Sequence, residues 1–169
     1  HLPDHIEKKV VLWKTSDKSR KQMSLLNTLF DTGTDLHILI MNVESFSKGA
    51  GLQFAQKFLS CHKAMIAIDE STTIKTPTSN RTKSILKLRQ DAKYRRILTG
   101  SPVTKSPLDL FSQCLFLDPW LLNHQSYYTF KARYAVTKKI EVQGRRIEIV
   151  VGYRNLSELS EKIKPFSKR

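Results

Sequence analysis

Cysteine is scarce in this chain: Cys61 and Cys114 are the only two among 169 residues. They lie far apart and form no CxxC, which excludes a disulfide framework, and Cys61 beside His62 lacks further ligands at zinc spacing. Both read as reduced thiols of an intracellular protein. The five histidines are scattered and make no HExxH pair, so that metalloenzyme pattern is excluded too. The apolar runs stop at about five or six residues, far short of the roughly 20 that cross a bilayer. Nothing at the N-terminus has signal-peptide architecture. The expectation is a chain that works inside the cell, in the cytoplasm if bacterial or phage, with no membrane contact. Also missing is a GxxxxGK[ST] phosphate loop. "SKGAGL", Ser47 to Leu52, comes nearest, but its glycines lack the following Lys-Ser or Lys-Thr and read as a turn into a helix.

Acidic residues are the other shortage. Fifteen Asp and Glu face 29 Lys and Arg, a net charge of +14 and a pI near 9.9. That surplus favours polyanionic partners, nucleic acid before acidic membrane surfaces. It is unevenly spread: residues Lys131 to Arg169 hold 11 basic and 4 acidic side chains, half of the total excess in under a quarter of the length. The remaining composition, 40% hydrophobic with 6 Gly and 6 Pro, is that of a globular protein large enough for one well-packed domain.

Four short apolar runs read as strands: "VVLW" (Val10 to Trp13), "HILIM" (His37 to Met41), "AMIAI" (Ala64 to Ile68) and "RRILT" (Arg95 to Thr99). The middle two are nearly continuous in hydrophobicity, which predicts burial on both faces. Helical spacing lies between them. Met23, Leu26 and Phe30 follow a start signal at Ser16–Asp17. Leu52, Ala55, Phe58 and Leu59 follow Gly51, and "SNRTKSILKLRQDAK" is entered through Thr78–Ser79. Strand and helix in alternation predict an α/β fold with a mostly parallel sheet and helices on both faces. After Pro102 the pattern changes. A helix starts near Pro107 with Leu110, Cys114 and Leu117 on one stripe, and "SYYTFKARYA" reads as another. "VTKKIEVQGRRIEIVVGY" alternates about Gln143–Gly144 as a β-hairpin, and "LSELSEKIKPF" is a helix stopped by Pro165. The organisation is therefore a first part over residues 1–104, and a helical extension with a basic hairpin over 105–169, within one structural domain.

Chemistry is concentrated where "AMIAI" ends in Asp69 and Glu70. Ligands of parallel α/β sheets bind beyond the carboxyl ends of the strands. One carboxylate there suits Mg²⁺, and its neighbour suits the orientation and deprotonation of a water facing a terminal phosphate. A carboxylate after a strand can equally just cap the next helix. The fourth strand empties into Thr99, Gly100, Ser101 and Pro102, whose hydroxyls lie within reach of bonding to the carboxylates or to one another.

Asp69-Glu70-Ser71-Thr72, continued by Ile74-Lys75, resembles the DExx box of the Swi/Snf-type ATPases, and Leu98-Thr99-Gly100-Ser101-Pro102 resembles that family's third helicase motif. "ILIMNVESFSKG", "PLDLFSQCLFLDPWLL", "FKARYA" and "LSELSEKIKPFSKR" extend the likeness over most of the chain. The resemblance implies the N-terminal RecA-like, P-loop NTPase-type lobe of an ATP-dependent DNA helicase or translocase, partial because the Walker A segment is missing. It implies ATP and Mg²⁺ as cofactors, with Asp69 on the metal and Glu70 activating water. Thr72, Thr99, Gly100 and Ser101 would couple nucleotide state to movement, although many relatives carry His where Thr72 stands. Asn42, Ser45 and Lys48 would face DNA, double-stranded in this family. A second RecA-like lobe of the parent chain would complete the ATP site, so the isolated piece is expected to be inactive. Lys138, Lys139, Arg145 and Arg146 make a basic hairpin able to track phosphates, or simply a charged, solvated edge. Tyr127, Tyr128, Phe130 and Tyr134 are candidates either for base stacking or for core. Two rivals remain: a basic, non-catalytic DNA-binding module, and a metal-dependent nuclease using the same carboxylates.

Overall fold

A computed structural model describes residues 5–167 other than 18, 34 and 48. Strand β1 (Lys8–Leu12) pairs in parallel with β2 (Leu36–Ile40), and β3 (Met65–Ile68) pairs in parallel with β4 (Tyr94–Ile97). Each parallel pair is joined through a helix, as parallel neighbours must be: α1 (Arg20–Asn27) lies between β1 and β2, and α3 (Asn80–Leu88) between β3 and β4. Between the pairs runs α2 (Gly49–Cys61). The chain continues through α4 (Leu110–Leu117) and α5 (Tyr127–Tyr134) into the antiparallel hairpin of β5 (Ala135–Val142) and β6 (Arg145–Tyr153), and then α6 (Leu156–Ile163).

Strand direction is as expected, but continuity is not. Among the described residues the strands form three two-stranded sheets, with no ladder between β2 and β3. The expected burial on both faces is also corrected. Val11 and Ile68 are buried among helices, whereas Val10, Leu12, Ile40 and Met65 are exposed. The helices cover one side of each pair, so the other half of a continuous apolar run faces outward.

Local chemistry sets the helix ends. Ser19, not Ser16, caps α1: its hydroxyl accepts from Gln22 N at 3.2 Å, while Asp17 accepts from Ser19 N at 2.9 Å and braces the cap. Ser79 caps α3 by accepting from Thr82 N. α2 begins two residues before Gly51, and that glycine is needed for packing. A Cβ there would lie 2.4 Å from Ser45 O, in the loop after β2. Arg95 on β4 donates to Leu117 O at 2.8 Å and to Arg89 O and Ala92 O, each at 3.0 Å. One guanidinium thus satisfies carbonyls that follow α3 and end α4, and binds both helices to the strand. In the later region Phe111, Phe130 and Tyr134 form a separate apolar cluster with Leu159 of α6. Both cysteines are free, Cys61 exposed and Cys114 buried; burial pushes the Cys114 thiol up to about 12.

Candidate active site

β3 ends at Ile68, which is buried, and the next two residues are exposed. Asp69 Oδ1 accepts from Glu70 N at 3.0 Å. Glu70 stands in left-handed backbone, φ 48°, ψ 59°, a conformation that costs a side-chain-bearing residue about 1–2 kcal/mol. Side chains held in such backbone cluster at functional sites, because only a surrounding structure that over-determines them keeps them there. Here the restraint comes from the following residue. Ser71 N donates to Leu98 O at 3.1 Å, and Leu98 N donates to Ile68 O at 2.8 Å. The carboxylate turn is therefore stitched to the segment just beyond β4, which carries Thr99, Gly100 and Ser101.

Behind the turn lies a polar network with a buried centre and an exposed edge. Ser71 and Gln113 are both 0% exposed, and Ser71 Oγ donates to Gln113 Oε1 at 2.6 Å. The Gln113 amide donates in turn to Pro102 O and Asp109 O, each at 2.8 Å. Asp109 Oδ2 accepts from Thr104 N at 3.1 Å, Thr104 Oγ1 at 2.8 Å and Lys105 N at 2.9 Å, and Lys75 Nζ lies 3.9 Å from it. Burial pushes the Asp109 carboxyl up, but these hydrogen bonds outweigh it and hold the group below the usual carboxylate range. Sequence reasoning passed over this network. Its one legible sign was a glutamine inside the apolar helix sequence "LFSQCLFL".

The hydroxyls proposed for coupling bond locally. Thr99 Oγ1 accepts from Ser101 N at 3.2 Å, and Ser101 Oγ donates to Val103 O at 3.0 Å. Among the described residues neither bonds a carboxylate, and the Thr72 hydroxyl makes no hydrogen bond. In the loop after β2, Asn42 is exposed and its Oδ1 accepts from Glu44 N at 3.0 Å. Ser45 is 5% exposed, with its hydroxyl 3.1 Å from that of Thr15; it anchors the loop rather than presenting an outward face. Lys48 lies outside the described residues.

The four hairpin cations fall on two different faces. Lys139 stands opposite Glu148 and Arg146 opposite Glu141, whereas Lys138 and Arg145 stand opposite Ile149 and Val142. Since side chains alternate along a strand, one face carries balanced charge, and the other carries Lys138 and Arg145 beside Ile140 and Ile147. Of the aromatics considered for stacking, Phe130 and Tyr134 are core, Tyr127 packs on Phe111 at 5.6 Å between centroids, and only Tyr128 is open, 81% exposed.

Among the described residues no three His, Cys, Asp or Glu are placed to hold a metal together. That donor set still fits Mg²⁺ beside a nucleotide, since this ion takes one or two carboxylates and completes its shell with phosphate and water; Asp69 Oδ1 already accepts the Glu70 amide. No helix among the described residues is long and apolar enough to cross a membrane. The adjacent carboxylates after one parallel strand are thus stitched to a hydroxyl-rich loop after its neighbour, at the carboxyl ends of the strands where ligands of parallel α/β sheets bind. The model of the SNF2-related domain matches residues 4–168, and the chain belongs to that family. Its ATPases generally use ATP and Mg²⁺, and its translocases generally act on DNA. No curated protein sequence matches the chain.

Proposed function

We propose that the chain contributes to the N-terminal motor lobe of a Swi/Snf-like translocase that couples ATP hydrolysis to movement along duplex DNA. In this reading residues 1–104 form a RecA-like motor segment, and 105–169 its helical extension and hairpin. Asp69 holds Mg²⁺, which neutralises phosphate charge when nucleotide is bound. Glu70 orients a water and takes its proton. Thr72, Thr99, Gly100 and Ser101 respond to nucleotide state through the loop that Leu98 ties to the box. DNA runs past Asn42 and Lys48, with Ser45 holding their loop in place. Lys138 and Arg145 supply the larger share of hairpin contacts, because Lys139 and Arg146 already face carboxylates. A second RecA-like lobe completes the ATP site. Without a GxxxxGK[ST] loop, the chain has few groups to grip a triphosphate and hydrolyses no ATP by itself.

The observation that carries this reading is the left-handed Glu70, exposed beside Asp69 and anchored through Ser71 to the loop after β4. Glu70→Gln in the full-length protein tests it. DNA-stimulated ATP turnover is expected to fall about 10²–10⁴-fold, the usual contribution of a positioned general base, with nucleotide affinity retained. Turnover that survives the substitution overturns the assignment.

A further inference from the structure

We propose that Gln113 is a positioning residue, the crossbar that holds Glu70 in its left-handed conformation and keeps the carboxylate turn and the following-strand loop in one register. The proposal rests on the reading of Glu70 as the water-activating carboxylate. Three observations support it. Gln113 joins the two segments through a buried side chain, with Oε1 on Ser71 and Nε2 on Pro102 O, whereas another side-chain link between them, Lys75 to Thr104, lies at the exposed edge. It uses its acceptor once and its amide donor group twice, so neither end can turn without stranding a buried polar atom. It also sits next to strain, because Ser71, the residue it grips, directly follows Glu70 at φ 48°. A left-handed glutamate followed by a loosely held residue would relax toward ordinary backbone, and its carboxylate would swing away from the attacking water.

The same crossbar makes α4 part of the signal path. Gln113 lies one turn from Asp109, whose carboxylate gathers Thr104, Lys105 and the Lys75 ammonium. A displacement of the loop after β4 is therefore passed to Ser71, and so to Glu70, by two short hydrogen bonds, the one to Ser71 fully buried and the one to Pro102 O partly so. That is a rigid coupling, since buried polar networks tolerate no half-satisfied state.

The test compares Gln113→Leu, which removes the link to Ser71 together with the bonds to Pro102 O and Asp109 O, and Ser71→Ala, which removes that link alone, in the full-length protein. Each is expected to lower kcat about ten- to a hundred-fold, the loss that follows from misplacing a reacting group by about 1 Å. KM for ATP should stay within about twofold, because the crossbar touches no nucleotide group. The double variant should be no worse than the more damaging single one, as for two ends of one bond. In the chain itself, Gln113→Leu should speed hydrogen exchange at the Ser71 and Leu98 amides and leave the β5–β6 amides unchanged. A raised KM with kcat intact, additive losses in the double variant, or unchanged exchange at Ser71 overturns the proposal. If Gln113→Leu does not fold, Ser71→Ala carries the kinetic and exchange readouts alone. The Glu70→Gln result separates the two ideas. Turnover that survives it removes the catalytic reading itself, whereas turnover lost there but kept in Gln113→Leu removes only the crossbar.

Discussion

Glu70 and the Gln143–Gly144 pair both turn the chain through left-handed backbone, at φ 48° in the first case and 51° and 73° in the second, yet they are supported in opposite ways. The hairpin tip is a local solution. Glycine takes positive φ without penalty, and the tight turn matches the twist of the two strands it joins. Nothing lies within 4 Å of where a Gly144 Cβ would be. The carboxylate turn has no glycine and no partner strand immediately following it. It is held by Leu98 and by Gln113, a residue 42 positions beyond Ser71. A turn that serves only to reverse the chain can be encoded by its own residues. A turn that presents an exposed carboxylate in left-handed backbone without a glycine has its restraint behind it.

The sharpest way to separate the two regions is to remove the core beneath the hairpin. Phe130 packs against Phe111, Tyr134 and His124, at centroid distances of 5.4, 4.8 and 5.8 Å. Phe130→Ala should cost about 3–5 kcal/mol in urea unfolding, with hydrogen exchange rising first in α5, β5 and α6 rather than at Ser71. A smaller pair of substitutions inverts the comparison at the turns themselves. Gly144→Val should destabilise the hairpin by about 1–2 kcal/mol, read as faster exchange across β5–β6. Glu70→Gly should raise the stability of the fold by up to about 1 kcal/mol, as strain relief exceeds the added chain entropy, while abolishing turnover. A Glu70→Gly protein less stable than its parent would mean that the left-handed turn is not strained.

The gentlest perturbation is pH. Glu158 accepts from Arg133 Nε at 3.1 Å and from the Tyr134 hydroxyl at 2.9 Å, and lies 2.9 Å from Lys162 Nζ. Hydrogen bonds from Arg133, Lys162 and Tyr134 hold its carboxyl at about 2, below the ordinary 4.5. A depressed folded-state value means that the clasp between α5 and α6 is at full strength above about pH 4.5, and is lost as pH falls toward 2. Glu158→Gln should flatten that acid limb in a series of thermal melts by lowering the melting temperature above about pH 5, where the parent's clasp is intact, while leaving it near the parent's at the acid end.

Much of this was legible in the chain because it is encoded locally. The four apolar runs became strands within one or two residues of their ends, and Gln143–Gly144 turned the hairpin as its residue types require. α1 is capped by Ser19 instead of Ser16, since Asp17 braces the cap rather than forming it. The errors share one cause. A hydrophobic run shows that a strand can be buried, not which face its neighbours cover, so β1 to β4 proved half exposed. A serine in a loop shows polarity, not direction, and so Ser45 turned inward to Thr15. The candidate site divides along the same line. Asp69 and Glu70 were visible as adjacent charges at the end of an apolar strand. Gln113 was not, because its partners are remote in sequence and its bonds exist only once α4 packs behind the turn.

The order of elements, the basic surplus and the position of the carboxylate pair were determined by the sequence itself, through residue periodicity, turn chemistry and charge count, all properties of neighbours. Tertiary structure alone decided which cations stand opposite carboxylates, which hydroxyls are buried, and what restrains Glu70. Those outcomes depend on strand register and on helices closing over polar groups, where leaving a buried donor or acceptor unpaired is costly and no pattern of sequence neighbours shows the partner.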